Sequence, residues 1–305
     1  MGKVLILTDG KAGHENQSKA FARALGCDFD LVEVRFKSKA LKALSYVLDR
    51  VGVRTLRLLS TAVDCNRLQE KPVAVVGTGS GTFYAVKAVA KRLGVKCGVV
   101  LYPRGYHIAS FDCVLAPAFD RPKKAANVIE IPANLVANDE AFYEKGVAAF
   151  RDRTDVVPEV AVIIGGPNKC STLTAEWMKA RLDEIFGLPG AKAVTTSRRT
   201  PPEVETVVDG YPWDYRLLYS KDHFNPIPAF VKLAKRLYVT AESTGMLSEA
   251  CTFGAAEVVA LDNLNPGPHK FRRFVENLRA AGYVDGNRKV DLSAQFAEAK
   301  RLMGV

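Results

Sequence analysis

The chain has 305 residues, 48% of them hydrophobic and 25% charged, the composition of a globular protein with about two domains. No apolar run approaches the ~18 residues that a membrane span requires, and the short apolar stretch before Asp9 is too brief for a secretory signal. The formal charge of +10 favours anionic partners: phosphates, a membrane surface or nucleic acid.

The first half alternates strand and helix patterns. Residues 4–7 form a short apolar run that predicts a strand. Thr8-Asp9-Gly10-Lys11-Ala12-Gly13-His14-Glu15-Asn16-Gln17-Ser18 follows, and then Ala20, Phe21, Ala24 and Leu25 at helical spacing. This order places a glycine-bearing loop at the carboxyl end of a strand, where open α/β sheets bind ligands. Gly10 and Gly13 permit backbone geometry that other residues resist. A helix N-terminus offers N–H groups to an anion, and His14 brings an imidazole to the same place. The plainer alternative is a tight turn with His14 beside a helix start. After a strand at 29–34, the segment 35–57 is basic. Arg35, Lys37, Lys39, Lys42, Arg50, Arg54 and Arg57 stand against Asp49, with Leu41, Leu44, Val47, Leu48, Val51 and Leu56 interleaved near helical spacing. Such a helix can lie on anionic lipid, or pack on a core with a solvated basic face. Further strands are expected at 73–76, 97–101, 113–116 and 128–131, a helix at 81–93, and a charged helical stretch at about 138–151.

The segment 154–158 reads as a linker, and the same grammar then restarts. Residues 160–164 are continuously apolar, as in a strand buried on both faces. Gly165-Gly166-Pro167-Asn168 follows, then a helix over about 171–186. Strands are expected at 191–195, 215–218, 236–239 and 257–261, and helices at about 230–235, 246–252, 270–281 and 293–302. Two successive βα arrays predict two doubly wound α/β domains, 1–154 and 159–305, facing a central cleft. The cysteines Cys27, Cys65, Cys97, Cys113, Cys170 and Cys251 are scattered without a C-x-x-C pair, the pattern of buried free thiols in a reducing compartment. No ligand spacing joins them to the histidines, so no metal site is expected.

Four strand-to-helix junctions are rich in small or polar residues: 9–14, 77–82, 165–168 and 241–245. The second, Gly77-Thr78-Gly79-Ser80-Gly81-Thr82, departs from G-x-G-x-x-G at Thr82. No acid closes the next strand to hold a ribose, which argues against a nicotinamide cofactor. In the fourth, the hydroxyls of Ser243 and Thr244 and Gly245 precede a helix, as a phosphate-binding turn requires. Glu249 lies one turn in, where its carboxylate can accept bonds from ribose hydroxyls; an ordinary N-cap and a first-turn acid are the plainer alternatives. Arg198 and Arg199 follow the second strand of the second array and can face a pyrophosphate or solvent. His107, His223 and His269 show no triad spacing, and Asp28-Phe29-Asp30 reads as structural.

These residues resemble a known family. The motif Asp9-Gly10-Lys11-Ala12-Gly13-His14-Glu15-Asn16-Gln17-Ser18 is similar to the opening of the mitochondrial-fission "elongated mitochondria" family, which has plant and bacterial members. Phe111-Asp112-Cys113-Val114-Leu115-Ala116-Pro117 with Asp120, Ile163-Ile164-Gly165-Gly166-Pro167, Thr195-Thr196-Ser197-Arg198-Arg199-Thr200-Pro201 and the stretch 243–249 are similar to its later blocks. Phe119 departs from the His expected before Asp120. The resemblance implies a GT-B-like fold of two Rossmann-like domains with a nucleotide-sugar cleft, in a family also tied to fission through a dynamin-like partner. The stretch 245–254 is similar to the donor-ribose helix of the lipid-II-forming N-acetylglucosaminyltransferase, and His14 falls in a loop where that enzyme carries a His.

Together these observations lead to the expectation of a metal-independent GT-B-type glycosyltransferase, cytoplasmic or peripheral on the inner membrane face, acting on a lipid-linked or polysaccharide acceptor. His14 is the expected general base. Gly165, Gly166, Asn168, Arg199, Ser243, Thr244 and Glu249 are expected to bind the donor. Asp9, Gly10, Gly13, Gln17, Gly79 and Ser80 are expected to line the N-terminal loops. No cofactor is expected, the nucleotide sugar being the substrate. Segment 35–57 is expected to meet an anionic lipid surface, and nucleic acid is disfavoured because no recognition module appears. The alternatives are a non-catalytic scaffold with a protein partner and a sugar-nucleotide epimerase.

Overall fold

Strands buried on both faces are what the continuous apolar runs dictate, since a parallel sheet is covered by its own crossover helices. A computed structural model of the chain describes residues 2–60 and 70–305. It divides into two compact units, Met1–Ala137 with Asp291–Val305, and Asn138–Val290.

The first unit runs β1 (Lys3–Thr8), α1 (Ala12–Ala24), β2 (Asp28–Glu33), α2 (Lys39–Arg50), β3 (Ala74–Thr78), α3 (Phe83–Leu93), β4 (Lys96–Val100), β5 (Cys113–Pro117) and β6 (Val128–Ile131). The strands pair in parallel in the order β2-β1-β3-β4-β5-β6. The second unit runs α4 (Glu140–Arg151), β7 (Val160–Ile163), α5 (Ala175–Phe186), β8 (Lys192–Thr195), α6 (Pro202–Asp209), β9 (Tyr215–Leu217), α7 (Ile227–Leu233), β10 (Arg236–Thr240), α8 (Thr244–Thr252), β11 (Glu257–Leu261) and α9 (Lys270–Ala280). Its parallel order is β11-β10-β7-β8-β9. The strand order reverses between β1 and β3 in the first sheet and between β7 and β10 in the second. Those are the switch points where the carboxyl ends of an open sheet leave a crevice.

The units do not divide at 154–158. Helix α4 belongs to the second unit because its apolar side packs there: Phe150 meets Tyr215 and Phe230 at ring-centroid distances of 4.7 and 5.9 Å. The last helix, α10 (Ser293–Met303), returns to the first sheet. Lys96 Nζ donates to Leu302 O at 2.6 Å, and the bare Gly98 leaves room for Met303 and Phe21. Two helices also differ from expectation. Helix α5 begins after Thr174, whose hydroxyl accepts from Trp177 N, while Ser171 is used in the preceding turn. Helix α6 was hidden by Pro201 and Pro202, and a proline at the first helical position is compatible with a helix start. Cys27, Cys97, Cys113 and Cys251 are buried free thiols and Cys170 is half-buried; Cys65 lies outside the described residues. Among the described residues no helix is long and apolar enough to cross a membrane.

One buried ionic cluster mounts α2 on the first unit. Asp49 on the inner side of α2 accepts from Lys87 Nζ at 2.9 and 3.1 Å and from His107 N at 2.5 Å, and pairs with the Arg54 guanidinium at 3.1 Å. The Asp49 and Lys87 side chains are 0% and 2% exposed. Burial pulls the Lys87 amine down to about 8, against the opposing pull of Asp49. Nζ also donates to His107 O at 2.6 Å and lies 4.0 Å from the Phe111 ring centroid. Removing one partner strands a buried charge. Asp49→Ala is therefore expected to cost about 3–5 kcal/mol, read as a lower urea midpoint, whereas Asp49→Ala with Lys87→Met should recover much of the loss.

Candidate functional site

The first cluster stands at the β1/β3 switch point. Asp9 follows β1 and His14 sits in the first turn of α1, so a single tight loop turns them toward one another. His14 Nδ1 lies 3.0 Å from Asp9 Oδ1 and 3.1 Å from Oδ2. Burial works against ionisation of Asp9, but His14 and Lys11 outweigh it and hold the carboxyl below its ordinary value. An ionised Asp9 only accepts, so Nδ1 carries the shared proton, and in the neutral form of the ring the lone pair is the one on Nε2.

Two glycines after β3 form the seat of this pair. A Cβ on Gly79, which holds φ +83°, would strike the His14 ring, and one on Gly81 would lie 2.8 Å from Asp9 Cβ. Gly10 supplies the left-handed residue of the loop itself, at φ +78°. Gly13 does not share that role: it is helical, exposed and has nothing within contact of a would-be Cβ. Ser18 Oγ and Thr78 Oγ1 are 2.7 Å apart in the core below. Gln17 Oε1 is buried without a hydrogen-bond partner. Ser80 Oγ accepts from Lys42 Nζ at 2.9 Å, which ties α2 to the loop.

The second cluster stands at the β7/β10 switch point of the other unit. Thr240 Oγ1 accepts from Gly165 N at 2.8 Å and donates to Glu242 Oε1 at 3.0 Å. Side chains on Gly165 or Gly166 are excluded by neighbours in the same unit: Glu242 and Thr240 at the first, the Arg199 backbone at the second. Thr200 Oγ1 donates to Gly165 O at 2.6 Å, so the loop after β8 is fastened to the glycine pair. Arg199 itself is exposed. Asn168 Oδ1 is used locally, accepting from Cys170 N at 2.7 Å. Ser243 stands at the N-terminus of α8 with its hydroxyl making no capping bond, and Thr244 opens the helix.

Glu249 accepts from Tyr143 Oη at 2.8 Å. Burial pushes its carboxyl up, with Tyr143 and Asn138 pulling the other way. Tyr143 stacks on Phe253 at 4.3 Å. At the loop after β8 that Thr200 fastens to Gly165, a recess of about 440 Å³ opens, lined by Ser197, Arg198, Thr200, Tyr219 and Lys221 among others.

Three contributors escaped the sequence reading. Glu242 is 3% exposed. Burial raises its carboxyl, while the Asn263 amide, the Thr240 hydroxyl and the Gly166 N–H beside it pull the other way without prevailing. Its Oε2 and both polar atoms of Asn263 are buried without a full hydrogen bond. Tyr143 was unreadable because it lies 106 residues from Glu249. The remaining histidines are elsewhere: His107 and His223 are exposed, and His269 Nδ1 caps α9 by accepting from Arg272 N at 3.3 Å. Phe119 is buried. Among the described residues no three His, Cys, Asp or Glu side chains gather as a metal site.

A family model described as Mitochondrial fission ELM1 matches residues 12–301. The chain is similar to the Arabidopsis thaliana mitochondrial fission protein ELM1, with 25% identity over 248 residues, 71% of this chain and 57% of that protein. It therefore spans 57% of that relative's length. Among solved structures it is similar to the glycosyltransferase SnogD from Streptomyces nogalater, at 13% identity, 99% and 94% coverage and a TM-score of 0.53. It is also similar to the UDP-GlcNAc 2-epimerase from Neisseria meningitidis bound to UDP-GlcNAc, at 12% identity, 99% and 98% coverage and a TM-score of 0.51. These similarities make the fold GT-B-like.

Two outcomes are expected from this geometry. Gly79→Ala combines a disfavoured φ with a clash against the His14 ring, so it should displace the imidazole, visible as a changed His14 ring signal in NMR, at a cost of about 1–3 kcal/mol. Glu242 binds its proton more tightly when folded than when unfolded. Its contribution to stability is thus full below the ordinary value of 4.5 and is lost as pH rises through the raised native value. Urea midpoints taken across that window should fall more steeply for wild type than for Glu242→Gln; an equal or opposite slope would contradict the assignment.

Proposed function

Because the chain belongs to the mitochondrial fission ELM1 family and has a GT-B-like fold, we propose that it transfers a sugar from a nucleoside-diphosphate donor to an acceptor hydroxyl. The observation that carries this reading is the Asp9/His14 pair at the first switch point. A carboxylate on Nδ1 orients the imidazole and stabilises the imidazolium formed when Nε2 takes a proton, which is the work of a general base toward a hydroxyl. Asp9 is then a positioning residue and His14 the base.

The second unit holds the nucleotide on this reading. The N-terminus of α8, with Ser243 and Thr244, faces the phosphates with free N–H groups and a favourable dipole. Gly165 and Gly166 bring backbone close, Arg199 lends a guanidinium to the leaving diphosphate, and Asn168 steadies the turn beside them. Glu249, held by Tyr143, accepts from the ribose hydroxyls, and the recess after β8 and β9 has room for the rest of the nucleoside. The neighbour bound to UDP-GlcNAc supports a nucleotide-sugar ligand. The acceptor is lipid-linked or a polysaccharide, and the basic segment 35–57 meets the anionic surface that carries it.

A scaffold reading has its own support in the fission proteins of the family and in the exposed apolar side of α2. It predicts that His14 and Glu249 are dispensable. An epimerase reading shares the donor site and differs in needing no acceptor.

The first experiment is thermal unfolding of wild type, Glu249→Ala and His14→Ala with nucleoside diphosphates and UDP-, GDP- and ADP-sugars. A ligand that binds only the native state at a hundred times its Kd stabilises by about 2.7 kcal/mol. One nucleotide is expected to raise the wild-type midpoint. Glu249→Ala should abolish that shift and His14→Ala should keep it while lowering transfer by roughly 10²–10⁴-fold. No shift with any nucleotide at millimolar concentration would overturn the transferase and epimerase readings together.

A further inference from the structure

We propose that the first unit docks on an anionic membrane through the outer side of α2 and an adjoining cationic recess, which holds lipid headgroup phosphate. The proposal rests on the reading of segment 35–57 as lipid-facing and names the groups that do it; it does not depend on sugar transfer.

Helix α2 is apolar on two sides. Its inner side buries Ser45 and Asp49, with Leu41 and Leu48 packed against the core. Its outer side leaves Leu44, Val47 and Val51 at 41%, 57% and 67% exposure, and Val53 just beyond at 44%. Positions 44, 47 and 51 share one helical face. A helix facing only water carries polar residues there, and a contiguous apolar stripe with a polar rim marks an interaction surface. The rim here is basic, with Lys37, Lys39 and Arg50 exposed.

A recess of about 420 Å³ follows directly, lined by Arg54, Thr55, Arg57, Lys91 and Arg92 among others, with no acid in its wall among the described residues. Arg54 is committed inward to Asp49. Arg57, Lys91 and Arg92 are exposed and carry no ion pair among the described residues. Val53 is four residues from Arg57, so chain reach limits their separation to about 14 Å. Apolar side chains beside unneutralised guanidinium and ammonium groups fit the boundary between acyl chains and anionic headgroups. An apolar stripe flanked by charge of a single sign matches an anionic lipid surface better than a soluble protein of mixed surface charge, and the self-association of a second copy would oppose basic rims.

The test is co-sedimentation of the full chain with phosphatidylcholine vesicles, with and without phosphatidylglycerol. Wild type is expected to bind the anionic vesicles, less at high salt, and to leave the neutral ones. The variant Arg57→Gln/Lys91→Gln/Arg92→Gln should lose roughly five-fold per charge, about a hundred-fold in all. Val47→Asp/Val51→Asp should lose binding with every basic residue intact. All five positions are exposed, so both variants should keep the wild-type urea midpoint and any nucleotide-induced stabilisation. A failure here is thereby separated from a failure of the donor site. Equal binding to neutral vesicles, or variants that bind like wild type, would overturn the proposal. So would displacement by millimolar glycerol phosphate, which would assign the recess to a soluble phosphate. A dimer dissolved by Val47→Asp/Val51→Asp would also overturn it, giving the face to a second copy.

Discussion

The reversal of strand order in the middle of each sheet is the constraint on which the rest depends. Crossovers between parallel strands are right-handed, so the chains leaving β1 and β3, or β7 and β10, turn to opposite faces and leave the strand ends between them uncovered. Backbone N–H groups, helix N-termini and short polar side chains then collect at those ends without competing for core space. The positive-φ glycines Gly10 and Gly79 both lie at the first such point. At the second, Gly165 and Gly166 accept the close approach of Glu242 and of the loop after β8. In both units the glycines answer a crowding that the topology creates.

How legible this was follows from where each feature is encoded. The strands were readable because burial on both faces leaves a continuous apolar run, as in Val4, Leu5, Ile6 and Leu7 and again in Val160, Ala161, Val162 and Ile163. The loops between them were readable because glycine and hydroxyl residues punctuate those runs. The unit boundary was not, because the return of α10 to the first sheet is written only in long-range packing such as Met303 over Gly98. The spacing of Asp9 and His14 was visible, but their contact depends on Gly79 some 65 residues beyond His14. Gly13 shows the reverse error, a motif glycine that reads as conformational and sits in an ordinary helical turn.

The two acids at the second switch point illustrate how one residue type takes different duties from its surroundings. Glu242 is sealed beneath the glycine loop, and its raised carboxyl reflects a burial that its partners do not offset. It is held against the glycine loop through the Thr240 hydroxyl, which also accepts from Gly165 N. Glu249 is oriented by the Tyr143 hydroxyl on α4, a helix that reaches it from outside the β7/β10 pair. An acid fixed by a tyrosine that stacks in turn on Phe253 is held with little rotamer freedom, which is the condition for recognising a pair of hydroxyls at fixed spacing.

The buried Asp49 cluster bears on the same question from the other unit. A buried ion pair is weak as a source of stability, since apolar residues of similar volume often serve as well. What it supplies is direction. Asp49 meets Lys87, Arg54 and His107 N only at one rotation of α2 about its axis. That rotation turns Leu44 and Val47 outward and brings Lys42 onto Ser80, next to the glycine on which His14 rests. An apolar replacement would let α2 roll to bury its outer stripe, which hydrophobic packing alone favours. The ionic cluster opposes that roll. It therefore keeps an apolar surface in water and ties it, through one hydrogen bond, to the loop that seats the imidazole. This is the arrangement a catalytic base needs if its acceptor arrives along a membrane.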